Sequence, residues 1–407
     1  MVRINEHFLE LKESYLFSDI AKKVADYTAK HPEQKIIQLG IGDVTQPLSP
    51  SVIRALHHAV DDMADADAFH GYGPEQGYDF LHREIAAYYE KRGVWLNTDE
   101  IFVSDGAKSD IGNITDLFDT DNTVLIPDPV YPVYVDTNLM NGRKIVYLNA
   151  DESNGFLPMP PQDIKAAIIY LCSPNNPTGA VYTKKQLQAW VDYALACGAV
   201  ILFDAAYEAY IADRSLPHSI YELEGAKKCA VEFCSLSKTA GFTGTRLGYT
   251  IVPHALMLPV SGGQTIALNH LWLRRQTTKF NGVPYIVQRG AQAVFSPEGQ
   301  REVRQLIGYY MENAVTIAKT LDQKSIPYFG GINSPYIWMK CPDGLSSWAF
   351  FDELLNSCLL YTSFDINRIP TRQHQNIANQ PLIMRYFVNP KKSKMEQSCL
   401  LYTSRCV

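Results

Sequence analysis

Short runs of almost unbroken apolar residues punctuate this chain at 101–104, 123–126, 144–148, 167–171, 199–203, 230–235 and 247–252. A strand solvated on one face alternates apolar with polar residues, whereas a strand buried on both faces does not. Helical stretches lie between the runs. Ile111, Ile114, Leu117 and Phe118 fall at helical spacing, and residues 184–197 form a helix closed by Gly198. The pattern predicts an α/β fold, with a mostly parallel central sheet flanked by helices. Helices are also expected at 4–29, at 50–63 behind the start signal Ser49-Pro50, at 78–92 before Gly93, and at 300–323. Residues 36–39 and 337–340 read as strands, the latter in a second, smaller α+β domain.

The bulk properties narrow the function classes. A chain of 407 residues with 46% hydrophobic and 20% charged residues can bury a large core. A net charge of −6 argues against a nucleic-acid partner, and the one dense basic cluster, Lys391, Lys392 and Lys394, reads as a solvated tail. No apolar run approaches the ~20 residues that span a bilayer, so no membrane partner is expected. The N-terminus has no signal-peptide core. Eight cysteines are scattered without a C-x-x-C pair, which suits reduced thiols in the cytoplasm and no metal site.

The last fifty residues behave differently. Ser357-Cys358-Leu359-Leu360-Tyr361-Thr362-Ser363 recurs identically at 398–404, and between the copies no helical or strand period persists. Two identical heptads do not make a stacking repeat. The sequence after about Asn356 therefore reads as foreign to the fold, as a frameshift or a faulty join would make it.

Five segments carry chemistry. Lys238 ends a buried run, Ser235-Leu236-Ser237-Lys238, and enters a Gly/Thr-rich loop that closes on Arg246. Desolvation makes a lysine amine a usable nucleophile toward an aldehyde, and two serines with an arginine suit a phosphate dianion. Asp204 ends another apolar run, where α/β sheets place ligand groups, and Tyr207 follows three residues later. An aspartate there could keep a pyridinium nitrogen protonated; it could equally cap a turn. Ser173-Pro174-Asn175-Asn176-Pro177-Thr178-Gly179 is a turn whose amides can bond a ring oxygen or a carboxylate. Asp105-Gly106-Ala107-Lys108 stands between strand and helix, where free amides bind phosphate, and 128–134 is a stiff turn presenting Tyr131.

In this order, the five segments resemble the fold-type I pyridoxal-phosphate aminotransferases of class I/II across roughly residues 30–340. The resemblance implies pyridoxal 5'-phosphate as cofactor, held at Lys238 as a Schiff base, with Lys238 as the proton carrier. It implies that Asp204 pairs with the ring nitrogen, that Tyr207 and Asn176 bond O3′, and that Tyr131 stacks on the ring. Ser235, Ser237, Arg246 and the amides of Ala107 and Lys108 would take the phosphate, with Tyr72 reaching it from the second subunit of a homodimer with shared active sites. The implied division is an N-terminal arm and part of the small domain at 1–40, a large cofactor-binding domain at 41–290, a truncated small domain at 291–356 and an atypical tail at 357–407.

Further segments look closer to those family members that transfer an amino group between glutamate and tetrahydrodipicolinate, giving LL-2,6-diaminopimelate in lysine biosynthesis. They include Gly71-Tyr72-Gly73-Pro74-Glu75-Gln76-Gly77 and Lys279-Phe280-Asn281-Gly282-Val283-Pro284-Tyr285. Such a substrate has an amino and a carboxylate group at both ends. Tyr15, Gly42, Glu75, Lys108, Tyr131, Asn176 and Asn281 are the implied substrate contacts. Glu75 also suits a helix N-terminal charge, Tyr15 a core aromatic and Asn281 a turn. The family's arginine for the substrate α-carboxylate has one faint counterpart, Arg385, with no serine at the expected place after it. The expectation is a chain that binds cofactor but transaminates poorly. Another class I/II aminotransferase, a C–S lyase or a cofactor-binding relic are the alternatives.

Overall fold

The computed structural model describes residues 2–11, 16–34, 36–39, 44–358, 360–361 and 381–385. Its centre is a seven-stranded sheet of β1 (Ile101–Ser104), β2 (Val124–Asp128), β3 (Ile145–Asn149), β4 (Ile168–Cys172), β5 (Val200–Asp204), β6 (Ala230–Ser235) and β7 (Gly248–Ile251). The spatial order is β1-β7-β6-β5-β4-β2-β3. The pairs among β2 to β6 are parallel, and β7 alone runs antiparallel to its neighbours β1 and β6.

Alternate residues of these strands enter two different cores. Leu125, Ile169, Leu171, Ile201 and Phe203 pack on one face with Leu187, Trp190 and Val191 of the helix Lys184–Cys197. Val124, Ile126, Ile168, Tyr170, Val200 and Leu202 pack on the other with Trp272. Each such side chain contributes about 1.5–3 kcal/mol by leaving water, which is why the runs carry no polar alternation. The Lys184–Cys197 helix starts on a Thr183/Gln186 capping box and stops at Gly198, whose φ of 67° is left-handed.

A smaller body forms around the helix Pro297–Gln323 and a three-stranded sheet of β8 (Tyr328–Gly330), β9 (Tyr336–Lys340) and β10 (Pro381–Arg385). Ile20 and Leu39 from the N-terminal region pack there with Ile317, Leu321, Ile337, Met339, Phe351 and Leu354.

Two sequence expectations change. The helix expected at 4–29 is a short 3-10 turn at Glu6–Glu10 and a helix at Leu16–Lys30. The stretch between the two heptads is not without a strand. β10 pairs antiparallel with β9, setting Arg385 opposite Tyr336 in the register, and Leu360–Tyr361 pairs with Ile37–Gln38. The second heptad copy and the 391–394 lysines lie outside the described residues.

Candidate active site

Because β1, β2, β4, β5 and β6 point the same way, their C-terminal ends meet at one edge of the sheet. Cys172 is opposite Asp204 in the register, and Ser104 and Ser235 are both opposite Gly248. β7 runs the other way, so Arg246, two residues before its start, comes to that same edge. The five sequence segments are therefore gathered by topology alone, at the place where open α/β sheets bind ligands.

Asp204 is buried at this edge. Its Oδ2 accepts the Tyr134 hydroxyl at 2.6 Å and its Oδ1 accepts the Ala206 amide at 2.9 Å. Burial raises its pKa, with these two hydrogen bonds opposing the rise. Tyr134 stacks on Tyr170 with centroids 4.9 Å apart and meets Tyr131 edge-on at 5.8 Å. Asn175 ties the 173–179 turn down, donating to Thr178 Oγ1 at 3.0 Å and to the Pro129 carbonyl at 3.3 Å, and Asn176 is buried beside it.

Tyr207 is buried after β5, and its hydroxyl oxygen accepts from Tyr336 of β9. The next residue, Glu208, is clamped from three sides. Tyr88 donates to it at 2.7 Å, His218 Nδ1 lies 3.0 Å away and Arg92 is 3.1 Å away. Burial pushes the Glu208 pKa up, but Arg92 and His218 outweigh it and the net shift is down. The turn so fixed carries Tyr210, whose hydroxyl donates to the Lys238 carbonyl at 3.1 Å. Lys238 sits half-buried in the short helix Leu236–Thr239, which Ser235 caps by accepting the Ser237 amide.

An anion cradle forms next to it. Arg246, with a φ of 66°, donates to Ser237 Oγ at 3.2 Å and to the Thr243 carbonyl at 3.1 Å. Gly106 has a φ of 143°, and a Cβ there would stand 2.4 Å from Arg246 Nη2. A Cβ on Gly248 would stand 2.9 Å from the Ala107 amide nitrogen. Both positions must be glycine for the guanidinium and the Ala107 amide to converge. Lys108 joins them. Partial burial lowers its pKa, Asp136 raises it and Arg246 lowers it further.

Glu75 and the turn carrying Asn281 approach one another through Gly282. Tyr72 is 95% exposed. Gly282, next to Asn281, approaches the backbone of Pro74 and Glu75 so closely that a Cβ would stand 3.0 Å from the Pro74 carbonyl. Tyr15 and Gly42 lie outside the described residues. Sequence reasoning gave no role to Tyr134, Tyr210, Gly248 or Tyr336. Tyr134 lay inside a quoted segment, but only the fold reveals that it faces Asp204.

The edge fits pyridoxal phosphate. Asp204 is a buried carboxylate whose two described hydrogen-bond donors are neutral, so a cationic ring N–H would relieve its desolvation. The cradle of Arg246, Ser237, Ser235 and the start of the helix Ala107–Asn113 supplies the donors a phosphate needs.

Comparison with known proteins agrees. Residues 34–373 match the family model for aminotransferase class I and II. The LL-diaminopimelate aminotransferase of Parabacteroides distasonis is 55% identical over 366 residues, covering 87% of this chain and 89% of that protein. That of Bacteroides thetaiotaomicron is 54% identical, covering 87% and 90%. The structure of L,L-diaminopimelate aminotransferase from Chlamydomonas reinhardtii superposes with a TM-score of 0.87 at 37% identity, covering 99% of this chain and 97% of the other. The chain belongs to the class I and II aminotransferases, enzymes that work with pyridoxal phosphate.

Proposed function

We propose that this chain moves an amino group between glutamate and tetrahydrodipicolinate, yielding LL-2,6-diaminopimelate and 2-oxoglutarate, in the cytoplasm. The observation that carries the substrate is the identity of 54–55% with two enzymes of that name over 87% of the chain.

Pyridoxal phosphate supplies, when bound, an aldehyde for the amino group and a ring that accepts the electron pair left by a departing proton. Lys238 Nζ would hold the cofactor through its aldehyde. Its free amine would be the base that carries a proton between the substrate Cα and the cofactor. Asp204 would keep the ring nitrogen protonated. Tyr207 and Asn176 would bond the ring's phenolic oxygen, and Tyr131 would stack on the ring. Ser235, Ser237, Arg246 and the Ala107 and Lys108 amides would anchor the phosphate.

The substrate's far end calls for an acid for its ammonium and donors for its carboxylate. Glu75 suits the first, and Tyr15, Gly42, Lys108 and Asn281 suit the second. Tyr72 is almost wholly exposed, and the backbone next to Asn281 approaches Glu75. That supports a homodimer in which each chain completes its partner's site. Arg385 is the candidate for the α-carboxylate, since the β9–β10 register sets it opposite Tyr336, whose hydroxyl meets Tyr207.

The test is amino transfer from LL-diaminopimelate to 2-oxoglutarate, run beside aspartate, tyrosine and cystathionine. Diaminopimelate should be the fastest donor. Faster turnover of any of the others would overturn the substrate.

A further inference from the structure

Asp110 lies in the first turn of the helix Ala107–Asn113, and it is 1% exposed. Two hydroxyls donate to its Oδ2, from Ser104 at the end of β1 and from Thr250 in β7, each at 2.6 Å. The Ser104 oxygen in turn accepts the Gly106 amide at 3.3 Å. A relay therefore runs from the carboxyl, through one hydroxyl, to the glycine whose φ of 143° opens the anion cradle. Ser104 also stands opposite Gly248 in the register, and a Cβ on Gly248 would stand 2.9 Å from the Ala107 amide nitrogen and from Gly106 Cα. The cradle turn is pressed against β7 on one side and tied to the buried carboxyl on the other.

A helix N-terminus favours an anion. A phosphate dianion brought to this one would face a carboxylate in the first turn of the same helix, and two like charges in a buried setting oppose each other's ionisation. Among the described residues Asp110 Oδ1 has no hydrogen-bond partner, whereas a buried carboxylate calls for donors on both oxygens. We propose that Asp110 is a positioning residue for the cofactor's phosphate, fixing the Gly106 turn through Ser104, and that it does so as an uncharged acid. This rests on the pyridoxal-phosphate reading of the site.

The charges around Asp110 agree. Asp105 precedes the same helix, Asp116 stands on the turn Ile114–Leu117 and Asp136 on the helix Val133–Met140. Arg275 is the cation whose field reaches Asp110, but its guanidinium is bonded to Asp116 and Asn113 instead. Lys108 has Asp136 and Arg246 as its own charged neighbours. Cys234 of β6 and Tyr249 of β7 belong to the core on the opposite face of the sheet, where Glu232 meets Tyr89. Burial lifts the Asp110 pKa to about 7 against its two hydroxyl bonds, and Asp105 adds to the rise.

The experiment is equilibrium dialysis of pyridoxal phosphate against the cofactor-free protein at pH 6.5 and 8.5, for wild type, S104A, D110A and D110N. At pH 6.5, S104A and D110A should bind about tenfold more weakly than wild type. D110N keeps an uncharged acceptor for both hydroxyls and should bind there as wild type does. Raising the pH to 8.5 should weaken wild type about tenfold relative to D110N, because only wild type must take up a proton to bind. S104A binding like wild type, D110N binding as weakly as D110A, or parallel pH profiles of wild type and D110N would each overturn the proposal. Urea unfolding of the cofactor-free variants separates a lost fold from a lost tie, and if D110A does not fold, S104A and D110N decide. A wild type that takes up no cofactor, or that binds it without a bond to Lys238, fails the reading of the site first and takes this proposal with it.

Discussion

The Tyr134 hydroxyl donates to Asp204 Oδ2 across 2.6 Å at the end of β5, and both groups are buried. The bond holds the carboxylate in one orientation and lowers the pKa that burial raises. It occupies one oxygen, and the Ala206 amide reaches the other. With Asp204 in its proposed pairing to the ring nitrogen, removing the bond should weaken the hold on that nitrogen's proton. A hydrogen bond to a charged group contributes about 1.5–3 kcal/mol, so Y134F should lower kcat by roughly 10-fold or more while KM changes little. Steady-state kinetics check this, and an unchanged kcat would make Tyr134 merely a packed ring.

Gly106 is the one position where the cradle requires both a φ of 143° and the absence of a Cβ. G106A should displace the Arg246 guanidinium and weaken pyridoxal-phosphate binding by ~10-fold or more, the equivalent of one lost charge-assisted bond. Equilibrium dialysis of the cofactor measures it, with the unfolding midpoint of the cofactor-free protein as control.

The Arg92–Glu208 pair is mostly buried, with side-chain exposures of 22% and 10%. R92A leaves the Glu208 carboxylate with His218 and Tyr88 alone. Breaking a buried pair from one side costs about 3–5 kcal/mol, reduced here by the remaining partners to an expected ~2–3 kcal/mol in denaturant unfolding. Because the same turn carries Tyr207 and Tyr210, the variant should also lose cofactor affinity.

Asp110 accepts the Ser104 and Thr250 hydroxyls at 2.6 Å each, and burial raises its pKa to about 7. Between the unfolded value near ~4 and the folded value, the native state holds a proton that the unfolded chain has released. Its contribution to stability is therefore complete below pH ~4 and lost as pH rises toward 7, at up to ~1.4 kcal/mol per unit. D110N should flatten that slope in the cofactor-free protein, measured by urea unfolding at pH 5, 6, 7 and 8. An unchanged slope would contradict it.

The atypical tail gives another expectation. Arg385 lacks the neighbouring serine of the family's carboxylate-binding strand, so single-turnover amino transfer from LL-diaminopimelate should be slow although cofactor binds. Replacing the residues after 356 with those of a relative should restore the rate. A family-typical rate in the chain as it stands would show that the tail serves.

Much of this site was legible because its residues sit directly after apolar runs. Asp204 and Lys238 each end a strand or follow one closely, and strand ends are where sequence periodicity breaks visibly. Tyr336 and Gly248 gave no such signal. Each acts on a residue more than a dozen positions away or on another body of the fold, a relation set by sheet register and domain packing. Tyr210 likewise reaches Lys238 only because Glu208 folds the turn back, and a buried ion pair with Arg92, over a hundred positions earlier, leaves no local trace. The antiparallel direction of β7 was also hidden, since a doubly buried strand has the same composition either way up.

Borohydride reduction of the cofactor-loaded protein, followed by peptide mass spectrometry, tests the site most directly, because it needs no turnover and no carboxylate-binding arginine. The stable pyridoxyl adduct should fall on Lys238 alone and vanish in K238A. A cofactor-loaded protein that carries the adduct on another lysine, or on none, would contradict the assignment of Lys238.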